Sequence, residues 1–245
     1  MLEDSLRAAV DDLPLGWSGV FFERVGSTQD EARRAPPGLT RAIYVTDEQT
    51  AGRGRHGRTW LAAPGTALLA SILLNGPQGT PWRYTSLVSL ALAEAIEHVA
   101  RPAAPRIKWP NDLVIDGAKV AGILAESFFN GERLRAVVGV GVNVNASPSD
   151  VLGATCLARA AGRTIDRGAL LRALVRRLDA WLARSPETAR AAWQARLWGR
   201  GQRLRLLDRD ADETVVVLGV EPNGALRVRL GDGTERACLT GELLP

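Results

Sequence analysis

The chain is poor in the residues that hold metals and cross-link folds: Cys156 and Cys238 are its only cysteines, His56 and His98 its only histidines. The two thiols lie far apart in sequence and lack the paired spacing of a redox or metal motif. They read as buried or idle thiols, and no metal site is expected. With so few histidines and no nucleophile–base–acid pattern, covalent catalysis finds no support, and His56 reads as a loop residue. No apolar run approaches the ~20 residues of a membrane span. The opening MLEDSLRAAVDDLPLGW is acidic and amphipathic where a secretory leader would be basic and then apolar. The expectation is a cytoplasmic protein that does not associate with membranes.

Another absence is local. From Gln49 to Ala93 there is no Asp or Glu, whereas Arg53, Arg55, Arg58 and Arg83 are all present. A field that positive asks for an anion. The remaining basic excess is less telling: Arg167, Arg172, Arg176, Arg177 and Arg184 alternate with Leu170, Leu171, Leu174, Val175, Leu178 and Trp181, a solvated face opposite a core face. At 245 residues and 46% hydrophobic, the chain can bury a sizeable core.

Periodicity and turn residues predict the organisation. An amphipathic helix over Leu2–Val10 precedes a strand at Val20–Glu23; Ser27 or Thr28 caps a helix to about Ala35, stopped by Pro36-Pro37-Gly38. Strands follow at Ala42–Thr46 and in TALLASILL, then a core helix in YTSLVSLALAEAIEHVA. From Arg106 to Asn145 the pattern becomes strands (107–109, 113–115, 119–126, 136–144) turning at Asp116-Gly117 and Asn130-Gly131, an antiparallel sheet. Two helices, 167–184 and 186–197, lead to four further strands. A boundary near Gly199 divides a domain of residues 1–198 from a small barrel or sandwich, 199–245.

Within this frame AGRGRHGRTW (51–60) fits three templates: the G-x-G-x-x-G dinucleotide loop, a near P-loop, and an Arg-rich nucleic-acid contact. The dinucleotide reading lacks the acidic residue ~20 positions on. The P-loop reading lacks its lysine, and Pro64-Gly65 interrupts the helix it needs. What survives is physical: glycines let the backbone approach a ligand, and arginines offer bidentate donors to phosphate or carboxylate. Read alone, the loop could equally be a solvated Arg-Gly segment.

It is not alone. IKWPNDLVIDGAKVAGILAES places Lys108 at the end of a strand before a Trp-Pro-Asn-Asp turn, and Lys119 just past a hairpin turn. Taken singly, these are a surface lysine and a packed turn. Together with STQ (27–29), EQTAGRGRHGR (48–58) and VVGVGVNVN (137–145), they resemble, in family order, the biotin protein ligases. That resemblance implies a fold like the class II aminoacyl-tRNA synthetases, a mixed, largely antiparallel sheet flanked by helices, with a C-terminal SH3-like barrel.

It also implies ATP-dependent activation of biotin as biotinyl-5'-adenylate, then transfer to a lysine of a biotin carboxyl carrier domain, with Mg²⁺. Carried over residue by residue, Ser27, Thr28, Gln29, Gln49, Arg53, Gly54, Arg55 and Lys108 hold biotin, although Gln29 stands where the family usually has Asn. Arg53, Arg55, Arg58, Trp60, Lys108, Lys119 and Asn143 hold ATP and the adenylate. Arg55 and Lys108 are the expected catalytic pair, with positive donors neutralising charge that builds on phosphoryl oxygens. Asp112 is a candidate to assist the attacking lysine and equally a turn-forming Asp.

Fewer than thirty residues precede Ser27, so a helix-turn-helix domain and operator DNA binding are not expected. A lipoate or octanoate ligase of the same fold, and a basic nucleic-acid module, are the competing readings. The protein is expected as a monomer or homodimer, with the stretch from Arg135 to Asn145 as a sheet edge for the carrier or a second subunit. The loop from Thr50 to Trp60 is expected to order on ligand.

Overall fold

The computed structural model describes residues 5–75, 81–130, 133–148, 151, 153–208 and 211–245. Helix α1 (Ser5–Asp11) leads into β1 (Ser18–Val25), α2 (Thr28–Arg33), β2 (Arg41–Gln49) and β3 (Ala67–Asn75), then the long α3 (Pro81–Val99). Short β4 (Arg106–Lys108) and β5 (Asp112–Ile115) are followed by β6 (Ala118–Asn130) and β7 (Arg133–Asn143). Helices α4 (Leu157–Ala161), α5 (Arg167–Leu182) and α6 (Pro186–Ala195) lead to β8 (Arg203–Asp208), β9 (Ala211–Val220), β10 (Leu226–Arg229), β11 (Glu235–Cys238) and β12 (Glu242–Leu244).

The first seven strands form one sheet in the order β1-β2-β3-β7-β6-β5-β4. Only β1 and β2 run parallel; every other pair is antiparallel. This is the expected mixed, largely antiparallel sheet. The Asp116-Gly117 turn has positive φ at both residues, 51° and 79°, the conformation a tight two-residue hairpin needs. Gly131 of the second predicted turn and residues 2–4 of the first predicted helix lie outside the described residues. One expectation fails: β7 pairs with β3 on one side and β6 on the other. Residues 135–145 therefore hold the middle of the sheet, and their near-continuous burial is what such a strand shows. The edges are β1 and β4.

Alternation along the central strands sorts their two faces. Leu68, Ala70, Ile72 and Leu74 of β3, Ile123 of β6, and Val138, Val140 and Val142 of β7 pack into the main core with α3 and α5. Their neighbours Ser71 and Leu73, Leu124 and Glu126, Gly139, Gly141 and Asn143 therefore point to the opposite face. There α2 covers a smaller apolar cluster of Ala32, Ala35, Tyr44, Leu73 and Val137. Residues 138–142 thus give valine to the main core and glycine to the other side.

The last five strands form an antiparallel sheet, β11-β10-β9-β8-β12, with an open order instead of a closed ring. The glycines of the preceding WGRGQ turn, Gly199 and Gly201, take φ of 73° and 79°. The second sheet shares the main core: Leu204, Leu206, Val217, Leu226 and Leu243 belong to one cluster with Trp109 and Trp193. Trp109 donates its indole N–H to the Gly224 carbonyl at 3.0 Å, and Trp82 meets Trp193 edge-on at 4.9 Å.

Candidate active site

The site lies on the α2 face of the sheet. Gly26 and Val25 at the end of β1 accept backbone hydrogen bonds from Ala51 and Thr50, so α2 and the arginine loop start side by side. Ser27, Thr28 and Gln29 are buried at the start of α2. Thr28 donates its N–H to Gln49 Oε1 at 2.8 Å, which turns the Gln49 amide nitrogen toward the loop at Gly52. The Thr28 and Ser71 hydroxyls are 2.8 Å apart, and Ser71 donates onward to Gln29 Oε1 at 3.1 Å. Gln29 Nε2 reaches Glu126 at 2.9 Å and the carbonyls of Leu124 and Val137. Its amide is fully engaged inside the protein, bracing α2 against β6 and β7. Glu126 also pairs with Arg33 at 3.1 Å.

The loop is a tight hairpin. Trp60 N–H donates to the Gly52 carbonyl at 3.0 Å and Gly54 N–H to the Arg58 carbonyl at 2.7 Å, with Arg53 and Thr59 bridged between them. Its tip carries His56 and Gly57 at φ 56° and 72°, and His56 is exposed. The region that looked bare of acid in the sequence is supplied with acceptors by other elements. Arg53 makes a bidentate pair with Asp30 of α2 at 2.7 and 2.9 Å. Arg55 donates to Asn111 of the Trp-Pro-Asn-Asp turn at 3.3 Å, and Arg58 pairs with Glu242 of β12 at 3.2 Å. Arg83, grouped with these in sequence, sits on α3 behind the sheet. The Arg53 guanidinium holds the Asp30 carboxyl below its ordinary value. Burial lowers the pKa of Arg55, yet a guanidinium stays charged at neutral pH. A cleft of about 600 Å³ runs under the loop, walled by residues 50–59 together with Leu124 and Glu126.

Lys119 stands at the inner end of this arrangement. Its ammonium pairs with Asp112 at 2.8 Å and lies 5.7 Å from the centre of the Trp60 ring. Asp112 is therefore engaged with Lys119 instead of standing free. Asn143, buried on β7, donates to the Thr155 carbonyl at 3.1 Å. Lys108 stands apart: its ammonium lies over Trp198, 5.6 Å from the ring centre, and makes no hydrogen bond to the loop among the described residues.

The structure thus gathers Thr28, Gln49, Arg53, Arg55, Trp60, Lys119 and Asn143 on one face and leaves Lys108 at its margin. It adds participants that the sequence did not single out: Ser71, Glu126, Asp30, Asn111 and Glu242 as partners, and Gly122, Gly139 and Gly141 as floor. A signal for the glycines was present in the strict Gly/Val alternation of residues 138–142, which a half-buried strand under a ligand would show.

Residues 21–143 match the Biotin/lipoate A/B protein ligase family. In sequence the chain is 36% identical over 225 residues to the biotin–[acetyl-CoA-carboxylase] ligase of Paracoccus denitrificans, covering 85% of this chain and 93% of that protein. It is 30% identical over 252 residues to the bifunctional ligase/repressor BirA of Bacillus subtilis, covering 96% of this chain and 76% of that one. Among solved structures it is similar to the biotin protein ligase from Aquifex aeolicus in complex with biotin and ATP, with a TM-score of 0.79 at 27% identity, covering 92% and 97% of the two chains.

Proposed function

Because the chain belongs to the biotin/lipoate A/B protein ligase family, we propose how its residues divide the work of an ATP-dependent biotin protein ligase. In the first half-reaction a biotin carboxylate oxygen attacks the α-phosphorus of ATP, and the bond to the leaving pyrophosphate breaks. In the second, the uncharged ε-amine of a carrier lysine attacks the acyl carbon, AMP departs with the bridging oxygen, and the nitrogen releases a proton to solvent to leave the neutral amide. The first step brings two anions together and the second builds negative charge on the departing AMP, so positioning and preorganised positive charge carry the catalysis.

The observations that support this assignment best are that Arg53, Arg55 and Arg58 wall the cleft under the loop, that Lys119 lies over Trp60 at the loop's end, and that Thr28 and Gln49 are hydrogen-bonded beside its start. We read these as one trough, with Lys119 at one end and the pocket of Ser27, Thr28 and Gln49 at the other. We assign the biotin ring to that pocket, with Thr28 and Gln49 as its polar partners, Ser27 beside them, and Gly54 permitting close approach of the loop. Gln29 serves as a brace behind the pocket. We assign the reacting carboxylate and α-phosphate to the Lys119 end, with Arg55 closing over them from the loop and Asp112 orienting the lysine. Asn143 and Trp60 border the nucleotide. Lys108 acts from the margin, as an approaching charge on the nucleotide or carrier side, and Mg²⁺ enters as MgATP, held chiefly by phosphate oxygens.

The partner is a biotin carboxyl carrier domain in the cytoplasm. Residues 1–198 form the catalytic unit, and the open sheet of 199–245 serves as the SH3-like unit beside it. The test is direct: a carrier domain incubated with the protein, biotin and MgATP gains one biotinyl group by mass spectrometry. Lipoate in place of biotin gives no gain. Modification by lipoate alone would move the substrate assignment while keeping the fold.

A further inference from the structure

In β6 and β7, Gly122 and Gly141 are directly paired across the strands, and both face the trough. A Cβ on Gly141 would lie 2.5, 2.7 and 2.8 Å from Cε2, Cζ2 and Cδ2 of Trp60, and one on Gly122 2.9 Å from its Cζ3. The indole therefore lies across both strands in the space two side chains would otherwise fill. Its Nε1 is buried and has no hydrogen-bond partner among the described residues. No polar contact fixes the ring, so shape does, together with the Lys119 ammonium over its face.

Trp60 is also one side of the loop's closed neck, through its bond to Gly52. A Cβ on Gly52 would come within 2.7 Å of the Trp60 carbonyl, so little slack exists there. The neck thus links the position of the indole to the segment that carries Arg53, Arg55 and Arg58.

We propose that the Gly122–Gly141 pair is the seat that fixes the closed position of the arginine loop, acting through Trp60. Both glycines are positioning residues: they need touch neither substrate to matter, because they set where the loop's positive charge stands. That part of the inference rests on the ligase assignment. The seat itself does not.

The test is a double-mutant cycle, Gly141→Ala in the wild-type and Trp60→Ala backgrounds. Two readouts are followed: tryptic cleavage at the loop arginines without substrate, and the KM values for ATP and biotin. Crowding a rigid ring predicts cleavage about tenfold faster and a KM for ATP raised about tenfold in Gly141→Ala, with a smaller change for biotin. In the Trp60→Ala background the same substitution changes each value by less than about twofold, since the clash is gone. Equal effects in both backgrounds, or no effect in the wild type, would overturn the proposal. Should Gly141→Ala fail to fold by thermal melting, Gly122→Ala carries the tryptic arm of the cycle alone, since its Cβ would lie 2.9 Å from one ring atom of Trp60 but also 3.3 Å from the Lys119 ammonium. The tryptic arm needs no substrate, so a failed ligase assignment would leave it readable.

Discussion

At the scale of single residues, what matters is which polar groups are already committed within the protein and which still face the trough. Thr28 sits at the junction of the Gln49 amide and the Ser71 hydroxyl. Thr28→Val keeps the volume and the backbone N–H bond to Gln49 but removes the hydroxyl that joins Gln49 to Ser71, at a cost of about 1.5 kcal/mol. The expected result is a KM for biotin raised about tenfold or more with that for ATP little changed; steady-state kinetics with each substrate varied checks it. Gln29 illustrates what the sequence can and cannot say. Its place in the motif was visible, but its role was not, because a Gln side chain long enough to reach Glu126 and two carbonyls of neighbouring strands finds partners up to 108 positions away. Lys108 was the more prominent lysine in the sequence, as half of the expected catalytic pair; the fold sets its ammonium over Trp198 and that of Lys119 over Trp60 of the loop.

At the scale of elements, the arginine loop is a charged hairpin tied at three points to three different parts of the chain. Its glycine-arginine spacing was legible because local turn chemistry is written locally. Its partners were not, because Asp30, Asn111 and Glu242 come from α2, the turn before β5, and β12. Asp30→Asn removes the bidentate partner of Arg53, and the loop is then expected to be cut faster by trypsin at pH 8, with biotin and ATP restoring protection. Since Arg53 depresses the Asp30 pKa below 3.8, the tie is complete above that value and weakens as pH falls through the lowered one. At pH 8 it is therefore intact in the wild type, and equal cutting rates for variant and wild type would contradict the tie. The same distinction separates the elements read well from those misread. Strand and helix periods placed most of the sheet and helices to within a few residues but missed the short α4 and β12, while the position of β7 in the sheet order depends on long-range pairing that no local pattern encodes.

At the scale of the whole molecule, one core serves both sheets. Because Trp109 and Trp193 share a cluster with the inner residues of the C-terminal strands, the chain is expected to melt in a single calorimetric transition. Trp109→Phe removes the indole bond to Gly224, and a loss of about 1 kcal/mol would lower Tm by ~2–4 °C in a chain of this size, with any repacking loss added. Two separated transitions would contradict the shared core. A change in strand spacing and a glycine turn suggested a boundary near Gly199. The continuity of packing across it was not legible, since Trp109 and Gly224, 115 positions apart, meet only after folding. The central claim is that biotin is activated at the Lys119 end of the trough, and it is tested most directly by biotin-dependent exchange of labelled pyrophosphate into ATP in the wild type, Lys119→Ala and Lys108→Ala. The account predicts exchange that requires biotin, falls by about a hundredfold or more without Lys119, and survives in larger part without Lys108. Exchange that collapses without Lys108 and persists without Lys119 would contradict it.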